Sequence, residues 1–195
     1  LLLREQLGEI TLADLSDGML DVARGKIAAA GDPRMRAVRL DLSAGDAVPG
    51  EFDILYSLMT LHHIPDTDGI LRRFRDVLAQ RGILCVADLD TEDGSFHGDG
   101  FDGHKGFDRA TLRAKATAAG FVDVRFTTVY EMHKKVGGRM HKFPIFLMVG
   151  LASCSGGGGG DGSRTELLPT AVPLSGTGSL IPASSGYDPQ RSEEH

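Results

Sequence analysis

Short apolar runs alternate with amphipathic segments along most of the chain. Segments whose hydrophobic residues recur three or four positions apart predict helices, and the apolar runs between them predict strands. The predicted strands are residues 9–13, 36–41, 52–57, 82–88, 122–130 and 143–150. Strands that alternate with helices form mostly parallel sheets. The pattern therefore predicts an α/β fold with a doubly wound, mostly parallel sheet.

Three segments carry the signals that begin and end helices. The first is "DGMLDVARGKIAAA", which Ser16 or Asp17 can cap. Its apolar positions predict an inward stripe of Met19, Val22, Ala23, Ile27 and Ala30. The second is "TDGILRRFRDVLAQRG", with Gly82 just past its end. Its predicted inward stripe is Ile70, Leu71, Phe74, Val77 and Leu78. The third begins at a cap on Asp108 and stops at Gly120.

The composition is that of a soluble globular domain. Of the 195 residues, 41% are hydrophobic and 25% are charged, which suffices for a buried core. The net charge of −6 argues against a general nucleic-acid binder, because such a protein needs a basic surface; a small-molecule substrate fits better. Cys85 and Cys154 lie far apart without metal-type spacing, which favours a reduced, cytoplasmic compartment. No apolar run is long enough for a membrane helix.

The composition changes abruptly near residue 153. From there to residue 195 the chain is rich in Gly, Ser and Pro and has no sustained period. Such a segment cannot bury enough apolar area to offset the entropy of ordering. Residues 152–195 are therefore predicted to be a disordered tail, with a partner-docking role as the alternative.

Five segments of the preceding part occur in order with natural spacing. They are "ADLSDGMLDVAR" (13–24), "VRLDL" (38–42), "FDILYSLMTLHHIPD" (52–66), "LRRFRDVLAQRGILCVADLD" (71–90) and "AAGFVDVRF" (118–126). Together they resemble the small-molecule branch of the class I S-adenosylmethionine-dependent methyltransferases. The resemblance implies a methyltransferase domain over residues 1–151, with a Rossmann-like sheet that closes in an antiparallel hairpin. It also implies S-adenosylmethionine as cofactor and a small-molecule methyl acceptor.

The resemblance also assigns the cofactor contacts. Asp14, at the end of an early strand, would hold the ribose hydroxyls, because a carboxylate accepts two hydroxyl hydrogen bonds at once. Asp41 would accept from the adenine amino group. The residues expected to line the cofactor beside these acids are Leu15, Ser16, Met19 and Leu42. Ser57 and Leu58, after the strand at 52–57, are expected to lie near the methyl group. The alternative for either acid is a helix or turn cap.

A general base matters only if the acceptor is a hydroxyl or a carbon acid. His63, His97 and His104 are the candidates, because their unperturbed pKa is near neutrality. A packed histidine bonded to backbone is the alternative for the His62–His63 pair. The loop near residues 88–108 is either a solvated acidic loop, a substrate pocket or, least favoured, a metal site. Since no ligand pair has metal-type spacing, no metal is predicted.

Two further expectations concern the start of the chain and the basic residues at 133–142. The resemblance implies a first strand with a G-x-G-x-G turn, but only "LLLREQLGEITLA" precedes Asp14. We therefore expect the first strand and glycine loop to be missing, with unpaired edges in the middle of the sheet, poor stability and weak cofactor binding. Residues 133–142 are expected to form a solvated hairpin loop, or else a dock for an anionic group.

Two rival classes remain open. A nucleotide-binding Rossmann-type oxidoreductase would share the acid at Asp14, but it rarely ends in the antiparallel hairpin. A non-catalytic remnant of a methyltransferase is favoured by the absent glycine turn.

Overall fold

The computed structural model of the protein describes residues 6–48 and 50–153, and strands and helices alternate along most of this part of the chain. The elements are β1 (Ile10–Asp14), α1 (Asp17–Ala30), β2 (Met35–Arg39), β3 (Phe52–Leu58), a 3-10 turn (Leu61–His63), α2 (Thr67–Val77), β4 (Leu78–Leu89), α3 (Arg109–Ala118), β5 (Phe121–Val136) and β6 (Arg139–Ala152). The predicted tail lies outside the described residues from position 154 onward. No helix among the described residues is long and apolar enough to span a membrane.

The strands form two sheets. β1 and β2 pair in parallel, and the second sheet has the strand order β3-β4-β6-β5. β3 and β4 are parallel, whereas β6 runs antiparallel to both β4 and β5. The predicted α/β fold with a C-terminal antiparallel hairpin is confirmed, and β1–β2 and β3–β4 are its parallel pairs.

Each of the two sheets has two outer strands that pair with only one neighbour among the described residues. These are β1 and β2 in the small sheet, and β3 and β5 in the second sheet. Large apolar side chains are exposed on β3, at Ile54, Tyr56 and Leu58. An unpaired edge beside exposed apolar side chains can take a further strand or another chain.

The main core lies between the second sheet and helices α2 and α3. The predicted inward stripe of α2 is confirmed, since all of its members are buried: Ile70, Leu71, Phe74, Val77 and Leu78. From the sheet, β4 contributes Leu84 and Val86, and β6 contributes Phe146 and Met148. At about 25 cal/mol per Å² of apolar surface removed from water, this cluster is the principal stabilising contribution of the fold.

The end of α2 differs from its prediction. The helix ends at Val77 rather than near Gly82, and Leu78 already pairs with Phe52 of β3. The ladder with β3 needs this backbone in an extended conformation, so tertiary pairing overrides the helical pattern. Gly82 instead serves close packing, because a Cβ atom there would lie 3.1 Å from the carbonyl oxygen of Phe52.

The predicted stripe of α1 is wrong at two positions. Met19 and Val22 are exposed, and the inward face consists of buried Leu20 with half-buried Ala23, Ile27 and Ala30. This face turns towards the small β1–β2 sheet, which is too narrow to cover the wider apolar stripe of the sequence. The predicted cap is confirmed, since Ser16 Oγ accepts a hydrogen bond from the Met19 amide at 3.3 Å.

The predicted loop over residues 133–142 is also wrong. β5 and β6 continue pairing through His133↔Lys142 to Val136↔Arg139. Gly137 and Gly138 have φ values of 55° and 84°, which allow a two-residue turn whose twist matches the strands. The basic side chains are therefore spread along two paired strands instead of clustering on a loop.

Candidate functional site

Three histidines meet where β3 and β4 end. His62 and His63 lie on the 3-10 turn after β3, and His97 lies on the loop after β4. Because the two strands are parallel neighbours, their carboxyl ends reach the same edge of the sheet, where open α/β sheets bind ligands. One nitrogen from each ring lies within 4.8 Å of the others. We call His62, His63 and His97 the histidine cluster.

The backbone at the end of β3 turns sharply. Met59 has a φ of 52°, in the left-handed region that residues with a side chain rarely adopt. Its amide still donates to the carbonyl of Ala87 on β4 at 2.8 Å, so the turn begins while the two strands remain paired. This turn brings the chain back across the end of β4. His62 thereby reaches Asp88.

Asp88 and His62 form a buried pair. Both side chains are at most 1% exposed, and Asp88 Oδ1 lies 2.7 Å from His62 Nδ1. The carboxylate also accepts from the backbone amides of His62 and Leu89, at 3.3 Å and 2.7 Å. A carboxylate oxygen can only accept, so Nδ1 of His62 carries the proton. The Nε2 lone pair of His62 therefore faces the rest of the cluster.

His97 lies next to this lone pair on Nε2 of His62. Its Nε2 lies 3.0 Å from Nε2 of His62, and its ring stacks on Phe101 with centroids 3.9 Å apart. If His62 is neutral, the hydrogen bond pattern assigns the donated proton to Nε2 of His97 and leaves Nδ1 of His97 as an acceptor. Through His62, the buried carboxylate of Asp88 thus sets the tautomer of His97.

Partial desolvation and the closeness of the other imidazoles favour the neutral forms of His63 and His97. Desolvation, followed by the neighbouring His62, lowers the pKa of His63 below its ordinary value. The pKa of His97 is lowered in the same way, first by desolvation and then by His62 and His63. Imidazoles that are neutral near pH 7 can accept a proton or bind a metal ion.

The loop that carries His97 is fixed at its base. Arg109 Nε donates to Asp90 Oδ1 at 2.6 Å, and its Nη2 donates to the other oxygen of the same carboxylate. Gly106 has a φ of 68°, and a Cβ atom there would lie 2.0 Å from the carbonyl oxygen of Asp90. The His104 amide donates to the His62 carbonyl at 2.8 Å. These contacts close the loop over the 3-10 turn.

His104, the third predicted base, lies apart from the cluster. Its Nε2 lies 3.0 Å from the Ile64 carbonyl oxygen and 3.1 Å from Thr67 Oγ1. A carbonyl oxygen can only accept, so this nitrogen donates and ties the loop to the start of α2. His104 also lines a cavity of about 270 Å³ between the first turns of α2 and α3. Its role as a base stays a prediction, and Nδ1 is the nitrogen that would act.

Asp14 lies at the carboxyl end of β1. Its Oδ1 accepts from the Ser16 amide at 2.8 Å, while Ser16 rather than Asp14 caps α1. Leu15 and Met19, two of the predicted cofactor neighbours, are exposed beside it. The site therefore combines a carboxylate with two uncovered apolar side chains.

Asp41 follows β2 at the same edge of the small sheet. Its Oδ1 accepts from the Ser43 amide and hydroxyl and from the Ala44 amide, at 2.9, 2.5 and 3.0 Å. The Ser43 hydroxyl, with these amides, lowers the pKa of the Asp41 carboxyl below its ordinary value. This is the turn cap that the sequence left open, and Leu42, its predicted neighbour, packs against the main core.

Ser57 and Leu58 are the last two residues of β3. Ser57 pairs with Val86 and is half-buried, whereas Leu58 is exposed. Both lie at the end of the strand that leads into the histidine cluster, and their contact with a cofactor stays a prediction.

Sequence reasoning did not single out the Asp88–His62 pair. A signal for it exists, because Leu84, Val86 and Asp88 alternate along β4 and so point to the same buried face. An acid on the same strand face as two core residues is itself buried and needs a polar partner. The neighbouring "LHH" segment offered the partner, but only the fold shows which histidine takes the role.

Comparison with known proteins agrees with this architecture. Residues 1–84 match the family model described as a methyltransferase domain. A candidate methyltransferase of Bacillus halodurans has a TM-score of 0.63 at 15% identity, covering 78% of this chain and 86% of that one. The YcgJ protein of Bacillus subtilis has a TM-score of 0.60 at 13% identity, covering 77% and 85%.

A further solved structure carries a cofactor. Phosphoethanolamine N-methyltransferase 2 of Haemonchus contortus, in complex with S-adenosyl-L-methionine, has a TM-score of 0.59 at 14% identity. The match covers 75% of this chain and 49% of that one. No curated protein is significantly similar to the chain in sequence.

The strand order, with an antiparallel β6 between β4 and β5, defines a Rossmann-like methyltransferase fold. The match of its first 84 residues to a methyltransferase domain model agrees with this fold. The fold implied by the five sequence segments is thereby confirmed, and the methyltransferase domain match over residues 1–84 agrees with the resemblance.

Proposed function

We propose that the protein transfers a methyl group from S-adenosylmethionine to a small-molecule acceptor. The observation that carries the proposal is the histidine cluster, backed by buried Asp88, at the carboxyl edge of a methyltransferase sheet. In open α/β sheets this edge is the ligand-binding side. Polar groups held by buried partners are the arrangement that positions a reacting group.

The residues near Asp14 fit the nucleoside part of such a cofactor. Asp14 uses one oxygen for the Ser16 amide, and the carboxylate retains acceptor capacity for ribose hydroxyls. The exposed side chains of Leu15 and Met19 offer apolar surface for the adenine ring. Asp41 fits less well, because its Oδ1 is already shared by three donors of its own turn. Asp14 is therefore the acid expected to contribute most to binding.

When bound, S-adenosylmethionine supplies an electrophilic methyl group on a sulfonium sulfur. The contribution of the chain is to hold the acceptor in line and to exclude water. For a hydroxyl acceptor, His97 would take the proton on Nδ1, because its Nε2 is engaged with His62. His63 is a second candidate at the same edge. For an amine acceptor that is already neutral, the cluster would act by positioning alone.

Cofactor binding tests the first half of the proposal. Isothermal titration of the chain with S-adenosylmethionine should give saturable binding, and Asp14→Asn should weaken it about tenfold or more, as expected for a charge-assisted bond. Asp21→Asn is the matched control, since Asp21 is an exposed acid of α1 that pairs with Arg24 at the surface. Equal binding by wild type and Asp14→Asn would contradict the assignment.

Product formation tests the second half. S-adenosylhomocysteine release is followed with a panel of phenols, amines and thiols as acceptors, at saturating cofactor. Turnover that falls in His97→Gln but not in His133→Gln supports the proposal, since His133 lies on the hairpin outside the cluster. Cofactor binding without turnover of any acceptor would favour a non-catalytic remnant. Binding of NAD in place of S-adenosylmethionine would favour the oxidoreductase.

A further inference from the structure

The histidine cluster has the features of a metal site as well as those of a proton acceptor. Its three rings approach each other from two chain segments, with centroid distances of 4.1, 4.9 and 5.3 Å. Three imidazole nitrogens around one point, with an open side, form the ligand set of a zinc ion that retains an exchangeable position. We propose that His62, His63 and His97 bind one divalent transition-metal ion, with zinc as the occupant.

The spacing of the nitrogens suits such an ion. Two nitrogens bound to one zinc ion at 2.0 to 2.1 Å, at the tetrahedral angle, lie about 3.3 to 3.4 Å apart. Nε2 of His62 and Nε2 of His97 are 3.0 Å apart, and the full set lies within 4.8 Å. Small rotations of exposed rings would bring His63 and His97 to ligand distance. His62, which is fixed by burial, would be the anchor.

Asp88 supports the anchor in the way that metal sites require. A histidine ligand usually donates its second ring N–H to a carboxylate, which fixes the tautomer and raises the basicity of the ligating nitrogen. Asp88 accepts from Nδ1 of His62 at 2.7 Å, so Nε2 is the free ligand atom. The buried carboxylate also supplies negative charge next to the ion.

A lysine and a glutamate also lie near the cluster. Lys134 lies over the Phe96 ring at 5.1 Å, and its ammonium donates to the Phe96 carbonyl. Glu92, which accepts from the Gly94 and Phe96 amides on the same loop, carries the opposite charge. His63 and His97 are exposed, so an ion can reach the cluster from solvent. A path of entry is one of the requirements for a binding site.

Metal binding and the His62–His97 hydrogen bond use the same nitrogens. An ion on Nε2 of His97 replaces the hydrogen bond to His62, so the two states exclude each other in one molecule. This inference goes beyond the proposed methyl transfer, because the ion needs neither the cofactor nor Asp14. A test without cofactor therefore separates its failure from failure of the methyltransferase proposal.

The experiment uses the full chain after treatment with a chelator and dialysis. Cobalt(II) is added stepwise while the visible absorption is recorded, and zinc is then added to displace it. We expect saturation at one equivalent, an absorption band typical of nitrogen-rich four- or five-coordinate cobalt, and loss of the band on zinc addition. His63→Gln and His97→Gln should each weaken cobalt binding about tenfold or more.

His133→Gln is the matched control, because it removes an exposed histidine outside the cluster. It should bind cobalt as the wild type does. The inference is overturned if no saturable band forms, if either cluster variant binds as tightly as the wild type, or if the control loses binding equally. As a second measurement, zinc should raise the unfolding midpoint of the wild type but not of His97→Gln, by mass action.

Discussion

The carboxylate of Asp88 and the imidazole of His62 are joined by a 2.7 Å hydrogen bond that is closed to solvent. The bond links the end of β4 to the turn after β3, which are 26 residues apart in the chain. It fixes the tautomer of His62 and, through it, the direction of the lone pair that faces His97. Both the proposed proton acceptor and the proposed metal site depend on this one contact.

Replacing Asp88 should therefore destabilise the whole domain. Asp88→Asn leaves His62 buried without its ionised partner, which is expected to cost about 3 kcal/mol of unfolding free energy. Urea unfolding followed by circular dichroism measures the difference. Asp99→Asn is the control, since Asp99 is an exposed acid of the neighbouring loop and should change stability by less than about 0.5 kcal/mol. Similar stability of the two variants would show that the pair is not important for folding.

The base of the loop depends on a glycine for reasons of space. Gly106 and Gly98 both have positive φ, 68° and 85°, but only Gly106 faces backbone atoms that a Cβ would overlap. Gly98→Ala is expected to cost about 1 kcal/mol from backbone strain alone. Gly106→Ala should cost clearly more, because the Asp90 carbonyl must move. Equal unfolding free energies for the two variants would contradict the close approach.

The ion pair at the loop base is expected to hold the loop closed. Arg109→Lys keeps the charge but loses the two-point contact with Asp90, which should lower the unfolding free energy by about 1 kcal/mol. Limited proteolysis should then cut the loop between residues 91 and 105 faster. Arg125→Lys, a change on an exposed position of β5, is the control and should be cut at the wild-type rate. An unchanged cleavage rate in Arg109→Lys would argue against the fastening role.

The turn after β2 should make stability depend on acid pH. The pKa of Asp41 is lower in the folded chain than in the unfolded chain, mainly because of the Ser43 hydroxyl. The unfolded state then binds more protons, so this contribution to stability is present above the ordinary carboxyl pKa. It is lost as the pH falls from that value through the folded pKa.

Ser43→Ala should raise the pKa of Asp41 towards its ordinary value and flatten the acid dependence of stability. A carbon-13 NMR titration of the side-chain carboxyls measures the pKa directly. Ser16→Ala, which removes a hydroxyl that caps α1, is the control and should leave the Asp41 titration unchanged. An unaltered Asp41 pKa in Ser43→Ala would assign the shift to the backbone amides alone.

The local sequence determined the helix features whose hydrophobic stripes and capping residues lie close together in the chain. The stripe of α2 and the caps Ser16 and Asp108 follow from residues within a turn or two of each other, and the structure has them as predicted. The antiparallel hairpin also follows from its two apolar strands. Its length does not, because a two-glycine turn allowed pairing to continue through residues whose charges indicated a loop.

The sequence by itself determined the fold class, since alternation of apolar and polar positions and the order of short motifs are properties of neighbouring residues. Tertiary structure alone decided which residues face the core from α1, where α2 gives way to β4, and which histidine is buried. Those outcomes depend on partners distant in the chain: the narrow β1–β2 sheet, the ladder with Phe52 and the carboxylate of Asp88. Burial of His62 requires a hydrogen-bonding acid at the same depth, and only the packing of β4 beside β3 supplies one.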